Sequence, residues 1–170
     1  MKILLLNQTF YPDVASSAQH LSDLALGLVD RGHDVTVLTG RRAYDEPAQC
    51  FPRSETWRGI QIRRVASTGL GKASRMRRSV DFASFTACCA TRLAILPPPD
   101  VLVALTSPPL ISVLGAAWAS LRRSRFVYWV MDLNTDEALA AGWLRPGSLP
   151  ALCLELMSRF SLRAAHRIIA

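Results

Sequence analysis

Side chains able to act on a substrate gather where apolar runs of this sequence end. Asp132 follows the run Phe126–Met131. A carboxylate at such a strand end can orient an attacking hydroxyl or accept its proton; it can equally cap a helix or close a loop ion pair. Asn7, Thr9, Ser16 and Ser17 lie in the polar loop after Ile3–Leu6, and His20 lies one turn into the helix that follows. Their polar groups, with the free N–H groups of that helix, suit a phosphate or a hydroxyl-rich ligand, or ordinary loop and cap bonding. Ser107 ends another apolar run, where it could face the same crevice or cap the next helix. Neither GxGxxG nor GxxxxGK[ST] occurs, which weighs against a dinucleotide site or a P-loop. The four cysteines contain no C-x-x-C and the three histidines have no ligand spacing, so no metal site is expected.

The elements that must position these groups follow from periodicity. Ile3–Leu6 and Val35–Leu38 are nearly continuous apolar runs, the pattern of strands covered on both faces of a parallel sheet. Between them Leu21, Leu24, Ala25, Leu28 and Val29 make one helical stripe. Ser16 and Gln19 have capping-box spacing, which starts this helix near Ser16, and Gly32 ends it. Residues 43–58 read as a surface excursion and Gly59–Val65 as a third, half-exposed strand near the sheet edge. Residues 66–72 should be a mobile loop. Ala73–Leu96 is a helix ended by Pro97-Pro98-Pro99. Val101–Leu105 is a fourth strand, 110–121 a buried helix, and Arg125–Met131 a fifth strand. Gly142–Gly147 is a loop, 149–165 a helix, and the last residues begin a sixth strand with nothing after it to cover it. The fold class is therefore α/β: a Rossmann-like, doubly wound, mostly parallel sheet with helices on both faces, one domain over residues 1–170. With strand order 3-2-1-4-5-6, the first and fourth strands flank the ligand crevice.

Half of the residues are apolar and 19% are charged, as in a folded chain. Residues 101–121 carry no charge, but Thr106-Ser107-Pro108-Pro109 divides them into a strand and a helix start, not a membrane span. The net charge of +7 is localised: residues 41–78 hold ten basic and three acidic residues, so the rest of the chain nets zero. Lys72, Arg75, Arg77 and Arg78, at the start of a helix with an apolar stripe, could meet an anionic membrane or ligand, or be a solvated helix end. Few aromatic residues lie among them, which argues against nucleic acid.

Taken in order, Tyr11-Pro12 in the first loop, Arg31-Gly32-His33-Asp34-Val35 before the second strand, Thr106-Ser107-Pro108-Pro109 and Asp132-Leu133 resemble a family 4 glycosyltransferase of GT-B architecture, in the branch that builds bacterial surface polysaccharides. The resemblance covers essentially the whole chain. It implies the amino-terminal, acceptor-binding domain of a two-domain enzyme. A carboxyl-terminal domain absent from this chain would bind the nucleotide-sugar donor, and transfer would proceed with retention. No cofactor is implied beyond the nucleotide-sugar co-substrate, and no metal. Asp132 stands where such enzymes keep a polar active-site residue, often histidine. The family's paired glycines in the first loop are replaced by Ala15-Ser16-Ser17, which offers N–H groups and hydroxyls less closely to a phosphate.

The expected partners are a glycan or lipid-linked acceptor and an anionic membrane surface. The expected location is cytoplasmic, peripheral on the inner face of a bacterial plasma membrane. Two other readings stay open on the sequence: a non-catalytic α/β module for a nucleotide or phosphorylated ligand, and the membrane-recruiting subunit of a split transferase.

Overall fold

The apolar run at residues 3–6 forms the central strand of a parallel sheet. The computed structural model describes residues 1–46, 48–71 and 74–170. Its strands are β1 (Lys2–Leu6), β2 (Asp34–Gly40), β3 (Ser54–Trp57), β4 (Ile60–Val65), β5 (Val101–Ala104), β6 (Arg125–Trp129) and β7 (Arg167–Ile169). The helices are α1 (Ser16–Asp30), α2 (Arg75–Ile95), α3 (Ile111–Arg122), α4 (Asn134–Ala140) and α5 (Leu149–Ala164). The sheet runs β3-β4-β2-β1-β5-β6-β7, and only the β3–β4 pair is antiparallel. Without β3, the order is the doubly wound one read from the sequence.

Alternate residues of β1 feed two cores, which explains why its apolar run is unbroken. Leu4 and Leu6 join Leu38, Phe85, Leu93, Leu102, Trp118 and Phe126 on the side covered by α2, α3 and α5. Ile3 and Leu5 join Leu21, Ala25, Val35, Val37, Ile60 and Ile62 on the side covered by α1. Leu5, Leu6, Leu21 and Leu38 are all fully buried, and each such side chain contributes about 1.5–3 kcal/mol. Residues 101–121 divide between β5 and α3. Among the described residues, no helix is long and apolar enough to cross a membrane.

Gly32 stops α1 as expected. Its φ of 77° lets its N–H reach Val29 O while His33 N–H reaches Leu28 O, the paired bonds of a Schellman ending. The expected capping box does not form. Ala15 is the N-cap, Ser16 is already helical, and Gln19 Nε2 donates to Val14 O instead.

The excursion at 43–58 contains a strand that the sequence reading missed. Arg58 and Gly59 both have positive φ (47° and 83°) and close a two-residue hairpin between Trp57 and Ile60. β3 therefore takes the sheet edge, and β4 lies one place in. Residues 66–71, expected to be mobile, are tied to α2 through Asp81. The short helix α4 after Asp132 was also not foreseen.

Candidate functional site

The first loop leaves β1 at the carboxyl edge of the sheet, and its polar groups are mostly engaged with one another. Asn7 is fully buried, and its Nδ2 donates to Thr9 O (2.9 Å) and Thr9 Oγ1 (3.2 Å). Thr9 Oγ1 lies 2.9 Å from Ser17 Oγ, which joins the loop to the first turn of α1. Asn7 Oδ1 and Gln8 Oε1 are buried without a hydrogen-bond partner, an unusual state for buried acceptors. The loop backbone is clamped between its neighbours: Gln8 N donates to Ser107 O (2.8 Å), while Gly40 N and Thr39 Oγ1 donate to Gln8 O. Gly40 is needed there, because a Cβ would sit 2.8 Å from Gln8 O.

The far side of the loop is held by β3 and β4. Tyr11 stacks on Trp57 (4.0 Å between centroids, 13°), and Phe10 meets the same indole edge-on. Arg64, counted with the basic zone in the sequence, is buried, and it donates to Tyr11 O (2.7 Å), Pro52 O and Glu55. Asp13 Oδ2 accepts from Tyr44 N and draws the segment after β2 toward the same loop.

These ties leave a pocket at the carboxyl ends of β1, β2 and β4. Its lining comprises Gln8, Thr9, Gly40, Arg42, Ala43, Tyr44, Ser67, Gly69, Gly71, Arg78, Asp81, Phe82 and Phe85. The open space is about 60 Å³, enough for one small group. Phe85 is fully buried beneath it. Arg42 lies against Gly69, where a Cβ would clash with the guanidinium at 2.3 Å, and its Nε approaches Ser67 O. The Arg78 guanidinium sits over the Phe82 ring. Asp81 takes bonds from Thr68 Oγ1, Leu70 N and Gly71 N. Burial works to raise its pKa, but the bonds from Thr68, Leu70, Gly71 and Gly69 outweigh that and hold the carboxyl below its ordinary value. This carboxylate is committed to the loop. The remaining lining of guanidinium, hydroxyl, amide and aromatic groups suits a hydroxylated or anionic ligand.

Of the residues singled out in the sequence, Thr9 lines the pocket, Ser17 adjoins it through Thr9, and Asn7 braces it. Ser107 meets the first loop through its carbonyl oxygen, and the next residue of that loop lines the pocket. Asp132 is exposed beyond β6 and accepts a long bond from buried Thr106 (3.4 Å). Ser16 and His20 are exposed on α1. Arg78 reaches the pocket, Arg75 lies over the Trp143 ring (5.0 Å), and Arg77 is exposed on the first turn of α2. Lys72 lies outside the described residues. Gln8, Tyr44, Ser67 and Asp81 were missed. The available signals were a glycine closing β2 and a single acidic residue in a helix with a basic start. No metal-binding cluster of histidine, cysteine, aspartate and glutamate exists among the described residues.

The fold is shared with solved structures of other proteins. The catalytic domain of starch synthase IV from Arabidopsis thaliana, solved bound to ADP and acarbose, superposes with a TM-score of 0.58 at 12% identity, over 79% of this chain and 34% of that one. Anabaena Alr3699/HepE, solved with UDP and glucose, superposes with a TM-score of 0.51 at 20% identity, over all of this chain and 38% of that one. The chain thus spans little more than a third of the length of either structure, and the likeness is one of fold. No curated protein matches in sequence. The model of the glycosyl transferase 4-like domain matches residues 17–170, and the chain belongs to that family.

Proposed function

We propose that this chain is the acceptor-binding half of a retaining glycosyltransferase of the hexosyltransferase type. It would act on a glycan or lipid-linked acceptor in building a cell-surface polysaccharide. The observation that carries this reading is the pocket between the ends of β1, β2 and β4, whose two arginines and hydroxyl-binding groups match a sugar or phosphate-bearing acceptor. The donor would be a nucleotide-sugar held by a second domain. The two solved neighbours are complexes with ADP and acarbose and with UDP and glucose, and each is more than twice as long as this chain.

In the reaction, an acceptor hydroxyl forms the new bond to the anomeric carbon, and the nucleoside diphosphate departs. Asp132, beyond β6, orients that hydroxyl or takes its proton. Ser16 and His20, exposed at the start of α1, would face the donor phosphates; Ser107 and the Thr9–Ser17 pair would position the acceptor. Neither cofactor nor metal is called for. The protein would work at the cytoplasmic face of the membrane that carries its acceptor.

The test is transfer by the full-length protein from a panel of radiolabelled nucleotide-sugars to lipid extracts and to detergent-solubilised acceptors. Acceptor-dependent release of nucleoside diphosphate, with the anomeric configuration kept in the product by NMR, is the expected result. Failure with every donor, together with tight binding of a phosphorylated ligand, would overturn the reading in favour of a binding module.

A further inference from the structure

The first turn of α2 is separated by more than sixty residues from the loop after α4, yet the two meet. The Arg75 guanidinium lies 5.0 Å from the centroid of the Trp143 ring, while the indole remains 55% exposed. Met76, beside Arg75, is 78% exposed, and Leu70 is 47% exposed. Leu70 belongs to the same end of the molecule, because its N–H is bonded to Asp81 on α2. Arg77 is also exposed there. Acidic residues on the elements that form this surface are few. Asp81 is turned into its loop, and Asp136 and Glu137 are on the first turn of α4, at the other end of that helix from Trp143.

We infer that Trp143, Met76, Leu70, Arg75 and Arg77 form a seat for an anionic lipid bilayer. Three apolar side chains, one of them an indole, stand exposed among cations that reach headgroup phosphates. That is the composition of a membrane-interface surface, in which tryptophan sits at the headgroup level and arginine pairs with anionic lipid. The bilayer is favoured over a protein partner by charge: Arg75 and Arg77 stand exposed at this surface, within the segment 41–78 that holds the chain's net charge of +7. Seating this surface turns the pocket toward the headgroups, since Gly71 and Arg78 line it from the same loop and helix start. That orientation rests on the lipid-linked acceptor proposed above; the lipid contact itself does not.

The experiment is flotation of the full-length protein with vesicles of phosphatidylcholine containing 30% phosphatidylglycerol, against phosphatidylcholine alone. No donor or acceptor is present, so the outcome is separate from transfer activity. Binding to the anionic vesicles is expected, with loss in high salt as surface charges are screened. Arg75→Gln and Arg77→Gln should each weaken it by about fivefold, the effect of roughly one basic residue near an anionic surface. Trp143→Ser with Met76→Ser should weaken it by at least tenfold. These side chains are exposed, so the variants keep the fold, checked by circular dichroism. Brominated lipids should quench fluorescence in the wild type more than in Trp143→Phe. Absence of wild-type binding, or binding unchanged by both sets of substitutions, would overturn the proposal. Transfer to a detergent-solubilised acceptor tests the reaction separately, and it should survive Trp143→Ser with Met76→Ser.

Discussion

The Asp81 carboxylate accepts the Leu70 amide at 2.9 Å and so fastens the loop after β4 to the helix that borders the pocket. Its pKa is lowered because the loop's hydrogen bonds favour the charged form more than burial opposes it. The sign follows. A carboxylate depressed in the folded state gives its full stabilisation above the ordinary aspartate value and loses it as pH falls through the depressed one. Amide chemical shifts of Leu70 and Gly71 should therefore stay constant at neutral pH and move together in acid, below the usual carboxylate range. Asp81→Asn should remove that transition and cost about 1 kcal/mol, below the usual worth of charge-assisted bonds because solvent reaches the group.

Arg64 acts as a buried strut. Its side chain is fully buried, while its ion-pair partner Glu55 is about one-third exposed. The guanidinium reaches Tyr11 O, Pro52 O and Glu55, and lies over the Phe51 ring. Arg64→Ala should cost about 3 kcal/mol in urea unfolding, since it removes a fully buried side chain, leaves the Tyr11 and Pro52 carbonyls and the Glu55 carboxylate without their donor, and opens space. Arg64→Lys should recover little, because an ammonium cannot reproduce the planar fork. Both variants should also weaken ligand binding, because Tyr11 belongs to the loop that lines the pocket.

The parallel core was legible because the sequence pattern and the physics coincide. A strand covered on both faces needs consecutive apolar residues, and Ile3–Leu6 has them. Gly32 was legible for a similar reason: one residue type fits a left-handed helix ending. β3 was not legible, because its turn is Arg58-Gly59 and its four residues alternate without a strong apolar face. Arg64 was counted with the surface charges, since nothing in its sequence neighbours reveals that Tyr11 O, fifty-three positions away, needs a donor. Candidate residues on the first loop were found by their chemistry. The pocket itself was not, because it forms where loops from three strands meet. The box at Ser16 failed because the N-cap falls one residue earlier, on Ala15, which leaves Ser16 inside the first turn and turns Gln19 back to Val14 O.

The cysteines should divide by burial. Burial pushes the Cys89 thiol well above its ordinary pKa, with Cys88 beside it adding to the shift. Cys50 and Cys153 are exposed. Since the thiolate is the reacting form, a disulfide reagent at pH 8 should modify Cys50 and Cys153 quickly, as read by peptide mass mapping. Cys89 should react only after denaturant is added.

Asp132 offers the sharpest separation of chemistry from structure. It is exposed, and its Oδ2 accepts a long 3.4 Å bond from the Thr106 hydroxyl. Asp132→Asn keeps the size and the acceptor oxygen but cannot take a proton. A residue that manages the acceptor hydroxyl should lose 10²–10⁴-fold in kcat on that change, by the usual worth of acid–base catalysis. KM for the donor should hardly move, and stability should shift by less than about 0.5 kcal/mol. A loop tie predicts the reverse: nearly full kcat and a small loss of stability. Measuring kcat, KM and the urea midpoint of the full-length variant together distinguishes the two, and an active Asp132→Asn enzyme would move the search for the proton acceptor away from this strand end.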